Sequence, residues 1–106
     1  PFIGQYHFFY HFNKGLSEIS EKRYFDITKS IYKVLDDHLK NNKFLAGDEY
    51  SIADIATWPW IARHHWHDIG LKNYFNLCEW YKIIAERPAV IKGYKFMDKA
   101  SEIPGP

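Results

Sequence analysis

The sequence predicts an all-α fold: a helical bundle of about five helices forming one domain over residues 1–106. Three observations carry that prediction. Apolar residues between Ile27 and Leu39 recur at the 3.6-residue period of an amphipathic helix. The residues around Ser51 have the order of a doubly locked helix start. Breaker clusters cut the chain into helix-length pieces, and no stretch shows the period of two that a half-buried strand requires.

Residues 1–13 are dense in aromatics, and a helix from about Phe2 to Phe12 shows them on most faces, so burial on two sides is expected. Asn13-Lys14-Gly15 stops that helix. Ser17, followed by Glu18 and Glu21, opens a long second helix that ends at Asn41-Asn42, about 35 Å further on. Its apolar stripe reads Ile27, Ile31, Val34, Leu35 and His38/Leu39. The third helix runs from Ser51 to about His65. Ser51 suits its N-cap, because the hydroxyl can accept from the otherwise unpaired N–H of Asp54. The Asp54 carboxylate can reach back to the Ser51 N–H, completing a capping box, and it places negative charge at the positive end of the helix. Tyr50 before the cap and Ile55 after it form the expected hydrophobic staple. A structural role therefore accounts for Asp54. Pro59 deletes one backbone hydrogen bond and predicts a kink. After a turn at Ile69-Gly70-Leu71, a fourth helix from Asn73 or Tyr74 through Glu86 buries Leu77, Trp80, Tyr81 and Ile84. Arg87-Pro88 breaks it, and Pro88 suits the first position of a fifth helix. The tail Ile103-Pro104-Gly105-Pro106 has no structure-forming chemistry of its own.

Composition narrows the function classes. Fourteen Lys+Arg against thirteen Asp+Glu give no basic excess, which argues against an electrostatic nucleic-acid or membrane-surface partner. No apolar run approaches the roughly 18 residues of a membrane span. The lone Cys78 excludes an internal disulfide framework and suits a reducing compartment, so a cytoplasmic location is expected. The chain starts at Pro1 inside a patterned segment, without an initiator methionine, and a fragment of a longer protein is expected.

Leu45-Ala46-Gly47-Asp48 before the cap and Trp58-Pro59-Trp60 behind it complete a block over residues 44–60. This block resembles the C-terminal, all-helical domain of glutathione transferases. Gly4-Gln5 with the aromatic–histidine cluster behind it, Arg23-Tyr24, and Arg87-Pro88-Ala89-Val90 extend the resemblance over about residues 1–95. Within that family the chain is most similar to nu-class-type bacterial enzymes and their relatives among the fungal nitrogen regulators. Two pairs depart from the pattern: Ile19-Ser20 stands where relatives have Tyr-Ala, and Phe8-Phe9 where they have His-Phe.

The resemblance implies an N-terminal thioredoxin-like domain, absent from this chain, that binds most of the glutathione and supplies the catalytic Ser, Thr, Asn or Cys. No catalytic residue is therefore expected here. It also implies a homodimer of the full-length protein and a small-molecule second substrate. Arg23 is the residue it implies for the glutathione carboxylate, which a guanidinium can meet with two parallel N–H donors. Read as an ordinary surface arginine, Arg23 would instead pair with Glu18, Asp26 or Asp37. Phe2, Tyr6, Phe9 and Tyr10 are candidates for the apolar wall of the second-substrate pocket, with core packing as the alternative. His7 with His11 and His64 with His67 have helical spacing for metal ligands, yet no carboxylate or cysteine falls at a matching position, and no metal is expected. Cys78, flanked by Leu77 and Trp80, reads as an inert core thiol.

Two functions follow. One is the C-terminal half of a glutathione-dependent enzyme, with thiol–disulfide exchange, peroxide reduction or conjugation as its chemistry. The other is a non-catalytic helical interaction module, of the kind found in translation elongation factors and aminoacyl-tRNA synthetase complexes. Arg23 and Trp58-Pro59-Trp60 favour the enzyme.

Overall fold

The computed structural model describes residues 1–96 and 98–106. Helix α1 (Phe2–Tyr6) continues into a π-helical stretch, His7–Phe12. The Asn13 amide closes its end by donating to the Phe8 carbonyl at 2.9 Å. Gly15, with φ of +88°, turns the chain toward α2 (Glu18–Leu39). Ser17 caps α2, its hydroxyl oxygen accepting from the Ser20 N–H at 3.2 Å. On the exposed side of α2, Lys22–Asp26 and Lys33–Asp37 pair one turn apart, at 2.8 and 2.6 Å.

The buried positions of α2 are Thr28, Tyr32 and Leu39. The aliphatic stripe read from the sequence meets the core only in part: Leu39 is buried and Leu35 packs on the core, whereas Ile27 and Ile31 are half-buried and Val34 is 68% exposed. Helices α1 and α5 pack on α2, and the face turned to the core is the one whose Tyr32 hydroxyl finds a buried hydrogen-bond partner.

Phe44 and Gly47 exchange backbone hydrogen bonds of 2.8 and 3.3 Å in a tight turn. Helix α3 (Ile52–Ile61) follows, with Ser51 as N-cap and Pro59 in its last turn. It does not reach His65 as expected. The chain leaves the α-helix at Ala62 and Arg63, where Arg63 N–H bonds Trp60 O and Trp66 N–H bonds Arg63 O, and then forms a separate short helix, α4 (His64–His67). These tighter i→i+3 bonds re-aim the chain, which brings His67 into the core. Asp68 in the left-handed region (φ 54°) ends α4.

A 3₁₀ turn at Leu71–Asn73 leads into α5 (Phe75–Ala85), and Pro88 opens α6 (Pro88–Tyr94). The bundle thus has six α-helices among the described residues, because the third predicted helix is two. Leu77, Cys78, Trp80, Tyr81 and Ile84 of α5 are all buried and meet Tyr32, Trp58 and Ile61 in one core. The tail is docked by tertiary contact: Tyr81 O–H donates to the Pro104 carbonyl at 2.6 Å, and Ile103 packs on the core.

Candidate functional site

The predicted capping residues form a hub that reaches beyond a cap. The Ser51 N–H donates to Asp54 Oδ2 at 3.0 Å, and the Ser51 hydroxyl accepts from the Ala53 N–H at 3.3 Å. On the other carboxylate oxygen, Oδ1, Asp54 accepts from the Leu45 N–H at 3.0 Å and from the Trp80 indole N–H at 2.8 Å. Burial pushes the Asp54 carboxyl up, but the donors around it outweigh burial and hold it below its ordinary value. One carboxylate thus ties the 44–47 turn, the start of α3 and the middle of α5 together. Tyr50 and Ile55 both line one cavity between α3 and α6, and Tyr50 carries the Arg87 guanidinium 3.8 Å from its ring centroid.

The four aromatic candidates on the first helix do not converge. Phe2 is half-exposed and, with Ile27, Ile31, Val34 and Leu35, lines an apolar cavity of about 420 Å³. Tyr6 and Tyr10 stack on each other at 5.0 Å and line a different cavity of about 310 Å³, shared with Glu18, Glu21, Lys22 and Asp68. Tyr6 is buried, its hydroxyl donates to the His67 carbonyl at 2.9 Å, and burial raises its pKa, so it is a neutral donor. Tyr10 O–H donates to Asp68 at 3.2 Å. Phe9 lines neither cavity and lies parallel to Tyr24 at 5.7 Å.

Arg23 is exposed on α2. Of the acids that might have held it, Asp26 is paired with Lys22 and Asp37 with Lys33, while Glu18 lines the cavity beside Tyr6 and Tyr10. Among the described residues, Arg23 forms no ion pair.

One constellation was not expected from sequence. His7 and His67 meet through their Nε2 atoms at 2.7 Å, and His67 Nδ1 lies 2.6 Å from the Tyr32 hydroxyl. A single proton sits between the two rings, donated in one direction or the other, and both rings are neutral. Burial, then the neighbouring His7, His64 and His65, pushes His67 down to about 3. Burial, then His11 and Arg63, lowers His7 as well. Sequence spacing pairs His7 with His11, yet His11 is exposed and stacks on Trp66 at 4.0 Å. The real partners are 60 residues apart, and no local pattern could join them. Among the described residues, no group of three or more His, Cys, Asp or Glu side chains could hold a metal ion. Cys78 is buried, and no described helix is long and apolar enough to cross a membrane.

The family model for the glutathione S-transferase C-terminal domain matches residues 1–88. The chain belongs to that family. Among its glutathione S-transferase relatives is the disulfide-bond oxidoreductase YfcG of Escherichia coli, 38% identical over 84% of this chain and 41% of the relative. A second E. coli relative, the disulfide-bond oxidoreductase YghU, is 37% identical over 88% of this chain and 35% of the relative. An uncharacterised glutathione-transferase-like protein of Streptococcus mutans is 34% identical over 94% of this chain and 41% of the relative. This glutathione transferase domain therefore spans roughly two-fifths of the relatives it matches.

Proposed function

We propose that this domain is the C-terminal half of a glutathione-dependent thiol–disulfide oxidoreductase of nu-class type. Two of its relatives carry the name of that activity. The observation in this chain that carries the reading is the exposed guanidinium of Arg23, which forms no ion pair among the described residues, while Lys22 and Lys33 take Asp26 and Asp37. A guanidinium in that state suits a carboxylate ligand, and glutathione carries two.

In this reading a thioredoxin-like N-terminal half binds most of the glutathione and supplies the activating side chain. The glutathione thiolate attacks one sulfur of a disulfide, the S–S bond breaks, and the departing sulfur leaves as a thiolate. The helical half orients glutathione through Arg23, and Phe9 and Tyr10 face the second substrate, with Tyr6 buried behind Tyr10 and Phe2 turned to the recess along α2. The apolar stripe of α2 carries the homodimer contact, and the protein works in the cytoplasm. The 106-residue chain alone turns over no disulfide, because the thiol-activating half is missing from it.

The test starts with the coding DNA upstream of Pro1, expected to encode a thioredoxin-like half in frame. In the protein so defined, Arg23→Ala should weaken glutathione binding by about tenfold, the effect of losing one charge-assisted contact. Unchanged affinity would remove Arg23 from the site, and a stop codon next to Pro1 would remove the enzyme.

A further inference from the structure

The hydrogen-bonded chain Tyr32–His67–His7 has one direction that gives every proton in it a partner. The Tyr32 hydroxyl is fully buried, burial raises its pKa so that it keeps its proton, and among the described residues it meets His67 Nδ1 alone. Were that proton on Nδ1 instead, the Tyr32 O–H would be buried without an acceptor, which folded proteins avoid. Tyr32 therefore donates to His67 Nδ1. The His67 proton then sits on Nε2 and is donated to His7 Nε2 at 2.7 Å, which leaves the His7 proton on Nδ1.

A chain filled in this way has no place for another proton. On His7 Nε2 it would set two N–H groups against each other across 2.7 Å. On His67 Nδ1 it would turn the Tyr32 O–H away from its acceptor. The surroundings offer no counter-charge. His11 on the same helix, Arg63 before α4, and His64 and His65 on α4 are all basic, while Tyr6, Tyr74 and Tyr81 bring phenol groups to Tyr32. Of the acids that face Tyr6, Asp68 accepts from Tyr10 and Glu21 accepts from the Gly15 N–H.

The same residues fasten the first helix to α4. Besides the imidazole pair, Tyr6 O–H donates to the His67 carbonyl at 2.9 Å and Tyr10 O–H to Asp68 at 3.2 Å. The polar ties from this helix to α4 thus all fall on residues 67 and 68. Its hold on α2 is separate and apolar, through Tyr6 on Phe25 at 5.9 Å and Phe9 on Tyr24 at 5.7 Å. His7 also opens the π-helical stretch, a geometry found mostly at functional points of helices.

We propose that Tyr32, His67 and His7 form an acid-sensitive latch, which holds the first helix on α4 while both rings are neutral and releases it when either ring takes up a proton. Release frees Tyr6 and Tyr10 from residues 67 and 68 and leaves the helix resting on α2. In the enzyme proposed above, Tyr10 faces the second substrate, so acid would rearrange that face. This consequence rests on that reading, whereas the latch itself is tested in the present chain, so either can fail without the other.

The experiment uses the 15N-labelled 106-residue chain. At pH 7.5, imidazole nitrogen shifts should show His67 protonated on Nε2 and His7 on Nδ1. Native-state hydrogen exchange then follows the opening, with rates corrected for the intrinsic effect of pH. A ring of ordinary pKa 6.5 that is charged only in the released form multiplies the opening about 30-fold between pH 7.5 and 5. Protection of the amides over His7–Phe12 should fall by at least that factor, through an opening that urea promotes much less than it promotes exchange in α5. His67→Phe should remove about 30-fold of the change. His7→Gln, which keeps an acceptor for the His67 N–H, should reduce it as well and serves if the phenylalanine variant does not fold. A His67 proton on Nδ1 overturns the proposal. So does corrected protection that is independent of pH, or equal urea dependence in the first helix and α5, which would mean that the two helices open only together.

Discussion

Asp54 shows how much one buried carboxylate can organise. Its oxygens accept from Leu45, Ser51 and Trp80, and removing it leaves the buried Trp80 indole and two partly buried backbone donors without that acceptor. A cap alone is worth about 1 kcal/mol. With the orphaned donors added, Asp54→Ala should cost at least about 3 kcal/mol, a fall in Tm on the order of 12 °C or more. A Tm within a few degrees of the parent would refute the hub. Because the folded carboxyl lies below its ordinary value, its stabilisation is present above about pH 4 and is lost as pH falls through the lower folded value. His67 acts at higher pH with the same sign. Unfolded, its ring takes a proton near pH 6.5; folded, it does so only at about 3. Between those values the unfolded state holds the extra proton, so stability declines as the solution is acidified, by up to about 1.4 kcal/mol per pH unit for this ring. Urea midpoints measured between pH 7 and 4 should show that decline, and His67→Phe should flatten it whatever its absolute stability. An equal slope in the variant would mean that His67 does not remain neutral.

At the scale of elements, helix ends were legible where their chemistry is local. Ser17 and Ser51 cap as their neighbours suggest, Pro88 opens α6, and Leu77, Trp80, Tyr81 and Ile84 point inward as their spacing demands. Where a distant residue decides, the sequence is silent. Helix α5 has no side-chain cap of its own. Instead Asp36, from the last turn of α2, accepts from the Leu77 N–H at 2.9 Å and sits near the Asn76 amide at 3.5 Å. This is an N-cap supplied 41 residues upstream, and it welds α2 to α5 at the positive end of the helix dipole. The same limit explains the unforeseen break between α3 and α4, which serves contacts of His67 to Tyr32 and His7. It explains too why the inward side of α2 is centred on Tyr32 rather than on Ile31 and Val34, although Leu35 and Leu39 of the expected stripe still meet the core. Asp36→Ala should lower stability by about 1–2 kcal/mol, and Asp36→Asn should recover part of that by restoring an acceptor without the charge. Hydrogen exchange offers the sharper check: the Leu77 amide should lose protection in the alanine variant more than the amides of α3. Equal losses across both helices would show a general destabilisation rather than a missing cap.

The whole molecule exposes 7055 Å² of solvent-accessible surface. A compact monomer of this mass is expected to expose about 6,200 Å². The excess of roughly 800 Å² is close to one partner's share of a standard protein interface. Part of it is visibly apolar: Val34 and Ile19 on α2, and Phe8 and Phe12 on the first helix, are all largely or half exposed. Exposed apolar area of this extent marks surfaces that another body covers. The α2 stripe has the better claim to a second copy, because Phe2, Ile27, Ile31 and Val34 line a single shallow apolar recess that a matching helix can fill. Val34→Lys tests this at little cost to the isolated fold, since the side chain is mostly in water. The parent should sediment as a dimer with a Tm that rises with protein concentration. The lysine variant should sediment as a monomer, with a Tm independent of concentration and unchanged helical content by circular dichroism. A parent that stays monomeric at every concentration and binds no hydrophobic dye would show that the stripe is ordinary surface, and the homodimer would go with it.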